Sequence, residues 1–437
     1  MRRIGFSRIR RAAIIVSLLA VGFLLNRATR SQVQCCEPSQ VNVRKLLTNH
    51  KTNGTFDFHP ERGIRDKWGK FAVHPFVRTG TEWDVSSMTS RVCAATHVTM
   101  ERLYQLVDVS RVWKGPISTA VFTPDVEADV GRRIVEMLRR CVPEIRRQVS
   151  FHFVTDLEHP PKLLPEEGDS EVKYDEYLCS NLEPEIESLL AKRSPGMMEW
   201  RVPLKYPQNL MRNVARSSCN TPFTFLIDVD MVPMPGLKES LDGFLESQGN
   251  ESTKCVYVIP TYEIHDSVTV LPRNKTELLR LVKKKLAQPF HVKVAVRNSQ
   301  SSDLRRWASI PESPDLEVAY NVTKYQIGYE PVYVARADIP PFDERFLGYG
   351  CTRYTQAYEM YVADYQFLVL NNAFTSHRGF QTISSRPGWR AKQHQDNMKL
   401  MRGFAEELKI KYKKDPKNFV KHAKMLSKVR VTYGKPK

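Results

Sequence analysis

Thr221-Pro-Phe-Thr-Phe-Leu-Ile-Asp-Val-Asp-Met-Val-Pro233 carries a short apolar strand into two aspartates separated by one residue. A strand repeats every two residues, so Asp228 and Asp230 are expected on one face. Two carboxylates so placed repel one another unless a cation sits close by, and a divalent metal is the natural occupant. The simpler alternative is an acidic pair at a strand end that caps a turn or the next helix.

The flanking sequence alternates short apolar runs with helical patterns. Val92–Ala95 precedes a helical stretch from Thr99 to Val112, and Ile117–Phe122 precedes Asp125–Cys141, where Val126, Val130, Ile134 and Leu138 recur at four-residue spacing. Val149–Val154, a helix over Asn209–Arg216, the strand Phe223–Ile227, a helix over Gly236–Ser247 and the strand Cys255–Ile259 continue the series. Such a β-α-β-α succession predicts an α/β domain on a largely parallel sheet. Ligands gather at the carboxyl ends of strands in these sheets, which points to Thr96, His97, Thr155, Asp156 and Asp228 onward. After residue 260 the pattern is less regular, and this part is assigned to acceptor binding and closure of the fold. No internal repeat is visible.

A transferase that uses a nucleoside-diphosphate sugar needs a metal across its phosphates to stabilise charge growing on the leaving group, and the D-x-D pair suits that task. His377, in Phe374-Thr-Ser-His-Arg-Gly-Phe380, is read as a polar turn residue able to supply a third ligand. Two carboxylates with an imidazole favour Mn²⁺ over Mg²⁺, although Mg²⁺ is the alternative. Haloacid-dehalogenase phosphatases also begin with an apolar strand and D-x-D, but they need a later paired-carboxylate motif, and this chain contains no Asp-Asp. A glycosidase needs two acids flanking the sugar from opposite sides, which same-face neighbours do not provide.

The chain has 437 residues, 41% hydrophobic and 26% charged, enough for one large or two ordinary domains with a real core. Its net charge of +18 suggests anionic partners, with much of the surplus at the two ends. No aromatic-interleaved or zinc-finger signature accompanies that charge, so nucleic acid is not expected as a partner. Arg2, Arg3, Arg8, Arg10 and Arg11 precede the apolar run Ala12–Leu25. That run spans about 21 Å as a helix, and snorkelling arginines would extend it toward a layer of about 30 Å. The arginine asymmetry places the N-terminus in the cytosol and the rest in a lumen. The expected layout is a cytosolic tail over 1–11, a signal-anchor over 12–28, a lumenal stem over 29–85 and a catalytic domain over 86–437 with a basic tail. Lumenal residence agrees with N-x-S/T acceptors at Asn53, Asn250, Asn274 and Asn321. Eight cysteines would meet an oxidising compartment, and none forms a C-x-x-C. Cys93 reads as a small buried hydrophobe, whereas Cys35 and Cys36 are placed to link two chains.

Ala94-Ala-Thr-His97, Trp113-Lys-Gly-Pro116, Tyr206-Pro-Gln-Asn-Leu-Met-Arg-Asn-Val-Ala-Arg216 and Ile227-Asp-Val-Asp-Met-Val-Pro233 occur in this order. They are followed by Val258-Ile-Pro-Thr-Tyr-Glu-Ile264, Glu330-Pro331, Pro341-Phe-Asp-Glu-Arg-Phe346, Tyr349-Gly350 and His377-Arg-Gly-Phe380. This succession resembles glycosyltransferase family 49, the family of the β-1,4-glucuronyltransferase of the dystroglycan pathway and of the second catalytic domain of LARGE. The resemblance runs from about Val92 to about residue 410 and leaves out the anchor and stem.

The resemblance implies a GT-A fold, a UDP-glucuronate donor, Mn²⁺ and an inverting transfer that forms a β-1,4 linkage. The acceptor would be a glycan or glycoprotein, most naturally β-xylose on an O-mannosyl-type glycan such as that of α-dystroglycan. The setting would be the Golgi membrane, in a single-pass type II arrangement, with a dimer or a complex with another glycosyltransferase as a further partner state. A β-1,3 enzyme with UDP-N-acetylglucosamine as donor is the alternative within transferases. Asp228, Asp230 and His377 become metal ligands by this likeness, and Arg212 and Asn213 look like donor contacts, with Thr96 and His97 beside them. The glucuronate carboxylate calls for a cation, and Arg212, Arg216, Arg345 and Arg378 are the candidates. Many inverting GT-A enzymes carry aromatic-Gly-x-Glu-Asp with the last acid as base. Here Tyr349-Gly350 is followed by Cys351, Thr352 and Arg353, so Glu344 is the first candidate base, with Asp343 and Glu359 behind it.

Overall fold

In the computed structural model, residues 56–162, 164, 179–248, 254–382 and 388–426 are described, all within the compact unit Leu47–Lys437. The expected tail and anchor, Cys35, Cys36, Asn53 and Asn250 lie outside the described residues. No helix among the described residues is long and apolar enough to cross a membrane.

The strands in chain order are β1 (Ile64–Arg65), β2 (Phe71–Arg78), β3 (Val92–Thr99), β4 (Ile117–Phe122), β5 (Val149–Asp156), β6 (Phe223–Leu226) and β7 (Met231–Pro233). They continue with β8 (Cys255–Val258), β9 (Thr261–Ile264), β10 (Ala287–Pro289), β11 (Glu317–Asn321), β12 (Tyr333–Arg336), β13 (Gln366–Asn371) and β14 (Thr375–Arg378). Ten of them form one sheet in the order β1-β2-β5-β4-β3-β6-β12-β8-β13-β11, and the other four form a small sheet in the order β10-β9-β14-β7. At the centre, β5, β4, β3 and β6 run parallel. β12 enters antiparallel to both β6 and β8 and makes the sheet mixed.

Every residue of β4 and β5 is buried, as both faces of a parallel core are covered by other elements. The helix Glu127–Cys141 turns Val130, Ile134 and Leu138 inward, as its four-residue spacing predicts, while Gln208–Ser217 packs over β3 and β4. The strands expected from sequence are found as β3, β4, β5, β6 and β8, whereas β1, β2 and β7 were not expected and the sheet is mixed, not largely parallel, because antiparallel strands join the parallel centre on both sides.

Three local expectations are corrected. Phe71–Arg78, placed by sequence in the stem, is β2, which pairs antiparallel with β5, and Trp83–Thr89 is a helix with Trp83 buried. Its pattern was hard to see because β2 is broken by a register shift between His74 and Arg78. Cys93 is not a lone hydrophobe: it is bonded to Cys219, tying β3 to the segment just after the helix Gln208–Ser217. A second disulfide joins Cys141 to Cys179.

Candidate active site

β6 ends at Leu226, and Asp228 to Asp230 form a tight turn into β7, closed by the Met231 N–H donating to the Asp228 carbonyl at 2.9 Å. The aspartates thus sit on a turn and not on one strand face, and their carboxylates take different partners. Asp228 faces Arg353 at 2.5 Å, His97 at 3.5 Å and Arg212 at 3.7 Å. Asp230 faces Arg102 at 2.8 Å and His377 at 3.6 Å.

His377 arrives from far along the chain by sheet register. It lies in β14 and not in a polar turn, and β14 pairs with β7 so that His377 stands opposite Met231, beside Asp230. Its Nδ1 lies 3.3 Å from the Gly379 carbonyl and its Nε2 faces Asp230, and a proton held on Nδ1 by that carbonyl would free Nε2 to ligate a cation placed between the two side chains.

Burial alone would raise the Asp228 carboxyl, but Arg353, the His97 contact and Arg212 outweigh it and hold Asp228 well below its ordinary value. Burial is likewise overcome at Asp230, chiefly by His377. Burial lowers His97, which keeps that imidazole neutral, with Nδ1 2.8 Å from the Tyr206 hydroxyl and Nε2 turned to Asp228. Burial and the neighbouring Arg353 lower Arg212 to about 10.

Among the described residues, no three His, Cys, Asp or Glu side chains enclose an ion by themselves. Asp230 and His377 nonetheless suit a cation. Their 3.6 Å separation exceeds a hydrogen bond and matches two bonds of about 2.1 Å opened beyond a right angle at one ion. Asp228 would complete the set once Arg353 releases it, and the remaining positions suit oxygens of a ligand.

The turn opens onto a cavity of about 740 Å³. Arg102, Arg212, Arg297, Arg353 and Arg390 line it, and its carboxylates are Asp228, Asp230 and Glu330. A cleft with this balance concentrates anions.

The other sequence candidates divide clearly. Thr96 and His97 are buried at the end of β3, with His97 against Asp228. Arg212 lines the cavity, but Asn213 donates to the Phe342 carbonyl and the Glu344 carboxylate, and clamps the 342–344 loop instead. Arg216 donates to the carbonyls of Ala337 and Ile339, and Arg345 is held between Asp343 and Glu407. Arg378 reaches the Val268 carbonyl near Asp108 on the surface.

None of the three base candidates lines the cavity: Glu344 is bound by Asn213, Asp343 by Arg345, and Glu359 by Lys411 and Tyr412. Arg353 and Glu330, which do line it, were missed as site residues. The signal was present for both, since Arg353 follows Tyr349-Gly350 and Glu330 precedes Pro331 among the motifs quoted above. Gly350 has φ +88°, and a Cβ there would fall 2.5 Å from His394. The tight loop at Tyr349-Gly350 is thus built for that residue and delivers Arg353 to Asp228. Of the remaining sequons, Asn321 is exposed at the end of β11, and Asn274 accepts from the Glu277 N–H to cap the helix Lys275–Lys283.

The family described as glycosyl-transferase for dystroglycan matches residues 91–413, a span that contains the D-x-D turn, the five arginines of the cavity and His377. The chain belongs to this family. As a glycosyltransferase it is 33% identical to the Bos taurus beta-1,4-glucuronyltransferase 1 over 75% of this chain and 77% of that protein. It is 26% identical to the Homo sapiens xylosyl- and glucuronyltransferase LARGE1 over 82% of this chain and 39% of that protein. Among solved structures, S. aureus TarS 1–349 in complex with UDP-GlcNAc is similar at 12% identity and a TM-score of 0.35, over 77% of this chain and 70% of that one.

Proposed function

We propose that this glycosyltransferase has a GT-A fold and transfers glucuronate from UDP-glucuronate to a terminal sugar, β-xylose of an O-mannosyl-type glycan, with inversion to a β-1,4 linkage. The observation that carries the reading is the D-x-D turn facing His377 beneath a cavity with five arginines. UDP-glucuronate is a polyanion carrying both a diphosphate and a sugar carboxylate, and a basic pocket of this kind complements both. The names of the relatives support glucuronate over other sugars.

Asp230 and His377, with Asp228, would hold Mn²⁺, which when bound supplies Lewis-acid neutralisation of the diphosphate. Of the arginines considered for the sugar carboxylate, Arg212 is the one that lines the cavity, and it stands beside Arg353. Two disulfides and the arginine-flanked apolar run at the N-terminus support a lumenal enzyme on the Golgi membrane.

Incubating the protein with Mn²⁺, a xylosyl acceptor and separate UDP-sugars tests the donor. Acceptor-dependent UDP release with UDP-glucuronate alone is expected. Release with UDP-N-acetylglucosamine in its place would name a different transferase, and sugar-independent phosphate release would overturn transfer altogether.

Arg212→Ala should weaken UDP-glucuronate binding about 10- to 100-fold in calorimetry, the loss of about 1.5–3 kcal/mol in charge-assisted hydrogen bonds. Arg378→Ala, on the surface, should change it by no more than about twofold.

A further inference from the structure

We propose that Glu330 is the catalytic base that accepts the proton of the attacking acceptor hydroxyl. The inference rests on the transferase reading above and deepens it. Inversion in one displacement requires a proton acceptor within reach of the reacting hydroxyl. Among the described residues that line the cavity, Glu330 is the one carboxylate outside the D-x-D pair.

The surroundings of Glu330 fix its position without consuming its basicity. Asn298 Nδ2 donates to Oε2 at 2.7 Å, and the Glu330 N–H donates to the Asn298 carbonyl at 2.9 Å, so side chain and backbone are pinned by one residue. The backbone N–H of Tyr354, in the first turn of the helix Thr352–Val362, is among the groups that favour the charged carboxylate. That helix begins at the Tyr349-Gly350 loop and presents Arg353 to Asp228. A carboxylate is supplied to the cavity here by the Glu330-Pro331 segment that leads into β12. Burial raises the Glu330 carboxyl above its ordinary value against the opposing pull of Arg353 and Arg212, which suits a proton acceptor.

The step balances without a further reactant. The acceptor oxygen forms a bond to C1 of the sugar, the bond from C1 to the diphosphate oxygen breaks with its electron pair leaving on UDP, and the hydroxyl proton passes to Glu330.

Glu330→Gln separates this role from support of the loop, because the amide oxygen can still accept from Asn298 Nδ2. Wild type must first transfer from UDP-glucuronate; if it uses another UDP-sugar, the donor assignment fails, and the Glu330 test proceeds with that sugar. If it transfers from none, the transferase reading fails. For E330Q, transfer to a sugar acceptor should fall about 10²- to 10⁴-fold while calorimetric donor affinity stays unchanged. Azide, an anionic nucleophile with no proton to lose, should restore at least about tenfold of the lost turnover by forming the glycosyl azide, which a merely structural residue would not allow. Unimpaired transfer by E330Q, or a loss that azide does not relieve, overturns the proposal and moves the role to a cavity imidazole such as His394.

Discussion

Asp228→Asn and Asp230→Asn are each expected to lower sugar transfer by about 10³-fold, and excess chelator should do the same to the wild type. The magnitude follows from removing about 4 kcal/mol of electrostatic stabilisation from a departing diphosphate, at about 1.4 kcal/mol per factor of ten. Asparagine preserves volume and one oxygen, so Arg353 and His377 keep a polar neighbour and the turn keeps its Met231 hydrogen bond. Circular dichroism should therefore be unaltered while UDP release collapses. The two variants should differ in one respect. Asp230 and His377 already face each other at 3.6 Å, whereas Asp228 is held by Arg353, so D230N should weaken Mn²⁺ binding in the absence of donor more than D228N does. Full turnover in chelator, or in either variant, would remove the metal from the account.

Replacing both Cys93 and Cys219 by alanine should lower unfolding free energy by about 4 kcal/mol, read as a fall in the urea midpoint. The crosslink spans a sequence separation of 126, and closing so long a loop strongly restricts the unfolded chain. Both residues are buried, so the paired substitution leaves no exposed thiol and no unpaired polar atom. The disulfide also ties β3, which bears Thr96 and His97, to the end of the helix that bears Arg212. A rise in donor dissociation constant should therefore accompany the loss of stability. An unchanged urea midpoint in the double variant, with the wild type measured under oxidising conditions, would show that the crosslink contributes nothing.

Much of the fold was readable because its signals are local. The buried strands Ile117–Phe122 and Val149–Asp156 are rich in β-branched and aromatic residues, and the helix Glu127–Cys141 announces its inner face by spacing. Beyond β8 such signals weaken: β9 and β10 are short, and β11 shifts register between Val318 and Tyr320. Strand β2 was hidden for the same reason. The site was readable as a set of residue types more than as an arrangement. Asp228, Asp230, His97, Arg212 and His377 do converge, whereas Asn213, Glu344, Asp343 and Glu359 have polar character that serves the scaffold.

By itself the sequence determined the alternating α/β order, the apolar strand that delivers an acidic pair to its end, and membership of a glycosyltransferase family, since each is written in neighbouring residues. Only the tertiary structure decided that Cys93 pairs with Cys219, that β14 slides His377 into register beside Asp230, and that Arg353 and Glu330 share the cavity while three other acids do not. Those outcomes depend on pairing between segments far apart in the chain. A side chain's distant partner is set by sheet register and packing of the whole domain, which no local spacing encodes.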